Sequence, residues 1–256
     1  MSVRLLLTGV VVLFAVGILA SPSYAKIDPK TILGMWLFDE GSGDQAKDSS
    51  PNGNHATLME GTEWVKGNFN MAVQFDGVDD YVSATVKNAP QGTEPRTVVA
   101  WVKSNDPARK GGVVAYGPSP PQLSQVFGFL QQGDGTWALQ LWGAPPAHDV
   151  LTGVRTDELW HHYAVTLEGK EVIGYMDAKE IGRGTRQPDT RGTTLMIGRE
   201  MDGDHWFKGI VDEVAIFNVI LTEDDVEDVM EGLENLLAVS SAGKLTTTWG
   251  SIKAQD

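Results

Sequence analysis

The sequence predicts an all-β protein, a sandwich of two antiparallel sheets carrying one C-terminal amphipathic helix. Three observations carry this. From Thr31 onward the apolar residues recur with period two or in short runs, as strands with a buried face require. Gly, Asp and Asn punctuate those runs at regular spacing, the rhythm of an all-β chain. No convincing helical period occurs before residue 222.

The chain opens with an address. Arg4 precedes an apolar run from Leu5 to Ala20, and Ser21-Pro22-Ser23-Tyr24-Ala25 follows. A basic start, an apolar centre and a small-x-small ending describe a secretory signal peptide, residues 1–25, cleaved after Ala25. The run falls short of the roughly 20 residues that span a bilayer. The mature form is therefore expected to be secreted, periplasmic or extracellular, with no membrane span. It contains no cysteine, which excludes disulfides, thiolate zinc sites and a cysteine nucleophile. There are 34 acidic against 20 basic residues, a formal charge of −14. That sign excludes a nucleic-acid binder, which needs a basic face to replace phosphate counterions.

The body reads as hairpins. Ile32–Asp39 is the first strand. Met71–Phe75 and Tyr81–Ala84 flank Asp76-Gly77, a pair suited to the positive φ of a primed turn. Thr97–Lys103 and Val113–Tyr116 are further strands. Val126–Leu130 and Trp137–Trp142 flank Gly133-Asp134-Gly135; His162–Leu167 and Val172–Met176 flank Glu168-Gly169-Lys170. Leu195–Gly198 and Trp206–Val211 flank Met201–Asp204. Pro118, Pro120 and Pro121 cannot donate to a ladder and mark a loop, as do Pro145 and Pro146.

The helix starts at Thr222, an N-cap with Asp225 at the capping-box position. Val226, Met230, Leu233 and Leu237 form its apolar stripe. Glu223, Asp224, Asp225, Glu227, Asp228, Glu231 and Glu234 give residues 223–234 seven acids and no base, a solvated acidic face. Residues 26–238 are expected to form one domain including this helix. Residues 239–256 are a tail, where Leu245, Thr247 and Trp249 alternate.

Five ordered blocks carry a resemblance. They are Gly34-Met35-Trp36-Leu37-Phe38-Asp39-Glu40-Gly41, Asp48-Ser49-Ser50-Pro51-Asn52-Gly53-Asn54-His55, Phe75-Asp76-Gly77-Val78-Asp79-Asp80-Tyr81, Trp160-His161-His162-Tyr163-Ala164-Val165, and Gly209-Ile210-Val211-Asp212-Glu213-Val214-Ala215. In this order they resemble the laminin G-like and pentraxin-like domains of the concanavalin A-like lectin and glucanase superfamily, over about residues 30–235. The resemblance implies a jelly-roll sandwich, and a fold of this kind hosts many functions. Asp177-Ala178 departs from the usual Asp-Gly. Alanine resists the left-handed conformation, so a different turn type is expected there.

The resemblance also implies a structural Ca²⁺, held by a carboxylate after the first strand, an Asp on the last and backbone carbonyls. Asp39 and Asp212 occupy those places, and Ca²⁺ takes six to eight oxygens of this kind. The alternative is that both are solvated or cap turns. A sugar site would use exposed aromatic rings. Trp142 beside Gly143-Ala144-Pro145-Pro146, Tyr116 beside the proline loop and Trp206 after the Met201–His205 turn are the candidates. For each of them core or structural packing is the favoured alternative.

Catalysis is not expected. Glucanases of this superfamily carry Glu-x-Asp-x-Glu on a strand, where period two aligns the carboxylates beside the glycosidic bond. Here that string, Glu223-Asp224-Asp225-Val226-Glu227, opens the helix, and Asp225 points away from the other two. His161 and His162 have no nucleophile beside them in sequence, and Trp36, Phe38, Trp160 and His162 are expected to face the core. The expected function is a secreted, non-catalytic recognition module for carbohydrate or another extracellular surface component. The alternative is a protein–protein adhesion module without a sugar site, and a glycoside hydrolase or lyase ranks below both.

Overall fold

The computed structural model describes residues 27–121, 125–141 and 149–237. The expected signal peptide, Trp142 and the expected tail lie outside them. In chain order the strands are β1 (Ile32–Trp36), β2 (Gln45–Ala46), β3 (Ala56–Met59), β4 (Glu63–Lys66), β5 (Met71–Asp76), β6 (Tyr81–Thr85), β7 (Arg96–Ser104), β8 (Gly111–Gly117), β9 (Phe127–Gln131), β10 (Thr136–Gln140), β11 (Val150–Arg155), β12 (Trp160–Glu168), β13 (Glu171–Met176), β14 (Lys179–Thr185), β15 (Thr194–Ile197) and β16 (Lys208–Phe217). Helix α1 (Glu223–Met230) follows.

Two antiparallel sheets face each other as a jelly-roll sandwich. The first runs β14-β13-β12-β7-β16-β5-β4, with β1 also beside β16; the second runs β11-β10-β9-β8-β15-β6-β3-β2. The inward faces interdigitate through Trp36, Phe38, Phe75, Phe129, Trp137 and Tyr163. Trp137 and Tyr163, from opposite sheets, place their rings 4.0 Å apart.

Two expected hairpins prove to be crossings. Met71–Asp76 lies in the first sheet and Tyr81–Thr85 in the second, so the Asp76-Gly77 turn carries the chain from one sheet to the other. The turn after Leu195–Ile197 does the same, taking the chain to Lys208–Phe217. The β9–β10 and β12–β13 pairs are hairpins as expected. At the next turn Asp177 and Ala178 both hold positive φ, 51° and 59°. The primed geometry is thus kept without glycine, and the buried Ala178 methyl joins the apolar layer beside the helix.

That layer is a second core, on the outer face of the first sheet. Met35, Val99, Ala164, Ala215 and Phe217 meet Val226, Val229 and Leu233 there. Burying two such valines contributes on the order of 3 kcal/mol. Thr222 accepts the Asp225 N–H while Asp225 accepts the Thr222 N–H, a complete capping box. Gly232, at φ 119°, interrupts the helix after Met230, and helical backbone resumes over residues 234–237. His162 is buried as expected, on the face opposite to Tyr163 and Val165, beside this outer layer. It is 1% exposed and packs on Trp101. Burial depresses its pKa to about 3, so its imidazole is neutral. Among the described residues no helix is long and apolar enough to cross a membrane.

Candidate functional site

Strand β16 builds one candidate site by changing partners. Its first half pairs with β5 through Lys208–Val211, and its second half with β1 through Val214–Phe217. At the change, the register on β7 shifts between Asp212 and Ala215, and Glu213 takes φ 46°. This bulge aims Asp212 into the gap where β1 ends and β5 begins. Bulges commonly re-aim side chains in this way.

Three segments meet in the gap. Asp212 Oδ2 accepts the Phe69 N–H at 2.9 Å. Asp39, just past β1, accepts the Met71 N–H at 3.1 Å and the Asn70 side-chain N–H at 3.0 Å. Gly67 closes the gap: a Cβ there would lie 2.5 Å from Asp212 Oδ2, 2.5 Å from the Phe69 carbonyl oxygen and 2.7 Å from that of Met71. Three oxygens therefore converge, and only glycine leaves room for them.

The carboxylates in the gap are strongly perturbed by burial. Asp212 is fully buried, and its Oδ1 has no hydrogen-bond partner. Burial first, then the charges of Glu213 and Asp39, push its pKa up to about 8 against the opposing pull of the Phe69 N–H. Burial, with Asp39 and Glu234, likewise raises Glu213 to about 7, although it accepts the Leu233 N–H at 3.0 Å. An unpaired buried carboxylate beside convergent carbonyl oxygens is a donor set that suits Ca²⁺. Asp39 and Asp212 thus meet the same Phe69–Met71 segment. The carbonyls of Phe69 and Met71 could not be read from side-chain types.

The second candidate site lies on the outer face of the second sheet. Tyr81, Ser83 and Thr85 alternate outward along β6, with Lys87 beyond, while Val82, Ala84 and Val86 point inward. Thr57 and Met59 do the same on β3, preceded by His55. With Asn54 and Met196 they line a groove of about 530 Å³. From Tyr81 to Lys87 a strand covers roughly 20 Å. His55 Nδ1 accepts the Asp48 N–H at 3.0 Å, which leaves its Nε2–H as a donor.

Trp206 stands at the Tyr81 end. Its ring lies 5.9 Å from that of Tyr81, and the Arg199 guanidinium lies over both, at 4.3 Å from Tyr81 and 5.2 Å from Trp206. All three side chains are half-buried. Trp206, expected as a ligand residue, therefore borders the groove. Tyr116 does not. It is 0% exposed in the inter-sheet core. Its hydroxyl donates to the Pro90 carbonyl and accepts from Arg96, both at 2.9 Å. Burial pushes its pKa up to about 12. The fully buried Arg96 draws that hydroxyl inward, which is why an aromatic beside a proline loop is not at the surface. Tyr81, Arg199 and the polar faces of β3 and β6 escaped the sequence reading, because alternating polar residues equally describe an ordinary solvated face.

Sandwich topology, crossings and groove together define a lectin-type β-sandwich. A family model of the concanavalin A-like lectin/glucanases superfamily matches residues 76–227, and the chain belongs to that superfamily. No curated protein matches the sequence. Among solved structures, domain 4 of AbnA, a GH43 extracellular arabinanase from Geobacillus stearothermophilus in complex with arabinotriose, is similar with TM-score 0.62 and 19% identity. The match covers 78% of this chain and 98% of that one. Trypanosoma rangeli sialidase is similar with TM-score 0.58 and 18% identity, over 80% of this chain and 33% of its own. The binding domain of Paraclostridial Mosquitocidal Protein 1 gives TM-score 0.57 and 14% identity, over 78% of this chain and 51% of its own. The chain thus spans a third to a half of the two longer proteins. These likenesses show a shared fold.

Proposed function

We propose that the chain is an exported, non-catalytic recognition module that binds carbohydrate in the β3–β6 groove. The observation that carries this is the groove itself, floored by hydroxyl and amide side chains and bordered by Tyr81 and Trp206. Aromatic rings beside polar groups suit sugars, which present apolar ring faces and many hydroxyls. The arabinanase domain solved with arabinotriose spans almost the same unit, which supports the reading.

Two features argue against chemistry. Glycoside hydrolysis needs two carboxylates flanking one bond, and no carboxylate lines the groove. The hollow that does gather acids, Glu60, Glu63, Asp76, Asp79 and Asp80, has about 230 Å³ and no ring to hold a sugar. An adhesion role through an apolar patch has less support. The exposed large apolar residues among those described, Val78, Leu151, Leu159 and Ile220, sit on separate segments. In this reading a structural Ca²⁺, held by Asp212, Asp39 and the carbonyls of Phe69 and Met71, fixes the sheet junction without touching the ligand.

A glycan array probed with the exported chain and with Thr57→Trp tests the proposal. The expected result is retention on at least one glycan, lost when the indole fills the groove floor at unchanged Tm. Absence of any bound glycan, or binding indifferent to Thr57→Trp, would overturn it.

A further inference from the structure

We infer that the ligand of this groove is anionic, a glycan carrying carboxylate or sulfate groups. The inference rests on the groove being the carbohydrate site. Arg199 carries it. Among the described residues the other arginines all donate to protein acceptors: Arg96 to the carbonyls of Pro90, Gly92 and Glu94, Arg109 to those of Trp206 and Gly77, Arg155 to Asp134, Arg183 to Glu171 and Glu180, Arg186 to Asp149 and Arg191 to Asp189. Arg199 has neither a hydrogen bond nor an ion pair, and its Nε is buried without a partner. Two aromatic rings hold its guanidinium in place, which fixes the charge while leaving its donors unused.

Among the described residues Arg199 is thus the arginine whose guanidinium is fixed by packing while no protein acceptor takes its donors. The groove repeats the pattern. Its lining includes Lys87 and His55 and no Asp or Glu. Lys87 spends one N–H on the Asn52 carbonyl at 3.2 Å and keeps its charge uncompensated. Asp80, next to Tyr81, turns away to accept the Asp76 N–H at 2.8 Å, and Glu200, next to Arg199, is buried against Lys110 and His205. Positive groups therefore stand near both ends of the groove, with hydroxyls between them. An acidic oligosaccharide would meet a fork of guanidinium donors at one end and an ammonium at the other.

Matched ligands separate this from the parent reading. Calorimetric titrations would compare sialyllactose and sulfated lactose with lactose, and tetragalacturonate with its methyl ester. The expected result is that at least one acidic member binds about tenfold tighter than its neutral counterpart, the effect of one charge-assisted contact. That preference should shrink in high salt. It should fall towards unity in Arg199→Gln and Lys87→Gln, with Arg199→Lys retaining part of it, all at wild-type Tm. Preference for carboxylate or for sulfate distinguishes the two chemistries. Equal affinity for neutral members, or a preference that survives both glutamine substitutions, would overturn the inference while leaving the groove as the sugar site. Loss of all glycan binding would remove both.

Discussion

Asp39 and Asp212 hold opposite ends of the same three residues. Asp212 accepts the Phe69 N–H at 2.9 Å and Asp39 accepts the Met71 N–H at 3.1 Å. Two carboxylates far apart in sequence thereby turn the Phe69 and Met71 carbonyls towards one point beside Gly67.

The first prediction concerns metal and pH together. Without a cation, a raised pKa means that folding favours protonated Asp212. That stability is present below the ordinary carboxylate range and is lost as pH rises towards about 8. The proposed Ca²⁺ would bind the ionised form and offset the loss. Adding Ca²⁺ to chelator-treated protein should therefore raise Tm, more at pH 8 than at pH 5. Asp212→Asn keeps an acceptor for the Phe69 N–H. It should melt as high as the chelated wild type or higher at pH 8, and ignore calcium. A wild-type midpoint indifferent to calcium at both pH values would remove the metal from this junction.

Gly67→Ala tests the geometry of the same point. Its Cβ would press on Asp212 Oδ2 and on two backbone carbonyls at 2.5 to 2.7 Å. Backbone atoms cannot swing aside, so a cost of about 1–3 kcal/mol is expected from overpacking. Thermal melting should show that loss, together with a weakened calcium response. Wild-type values for both would show that the junction is looser than drawn.

Tyr116→Phe separates structure from recognition. The substitution removes the donor to Pro90 O and leaves Arg96 one acceptor short in a buried site. A lost buried hydrogen bond of this kind costs about 1–3 kcal/mol. Urea denaturation should show it, while glycan affinity stays unchanged. A change in affinity at constant stability would return Tyr116 to the ligand surface.

How far the sequence reaches can be seen from such residues. The sandwich was legible because apolar residues recur with period two, as along β6, where burial alternates. Asp76-Gly77 marked a turn correctly but gave the wrong partner. A strand with one face in the inter-sheet core shows the same alternation whether the next strand lies beside it or opposite. Asp39 and Asp212 were legible through family resemblance. Gly67 and the carbonyls it admits were not, since any residue type can present a carbonyl. Arg199 looked like one more surface cation. Only the folded chain shows that nothing pairs with it.

His161 supplies the last prediction. Its Nδ1 lies 2.6 Å from Asp177 and its Nε2 3.1 Å from Asp157. Both ring nitrogens can donate only in the imidazolium form. Partial burial works against that charge, but the hydrogen bonds and charges of Asp177 and Asp157 outweigh it and raise the pKa above the ordinary value. Asp177 also accepts the His162 N–H at 3.0 Å, so the pair ties the β13–β14 turn to β12 and to the 156–159 loop. A group whose pKa is raised on folding stabilises below its unfolded pKa, and the contribution fades as pH climbs through the folded one. His161→Gln should therefore melt below wild type at pH 5.5, and the gap should narrow by pH 9. The Asp39–Asp212 junction is proposed to respond to metal, so the experiment is run in chelator at both pH values. A gap of equal size at pH 5.5 and pH 9 would mean that His161 acts by packing, with its charge contributing nothing.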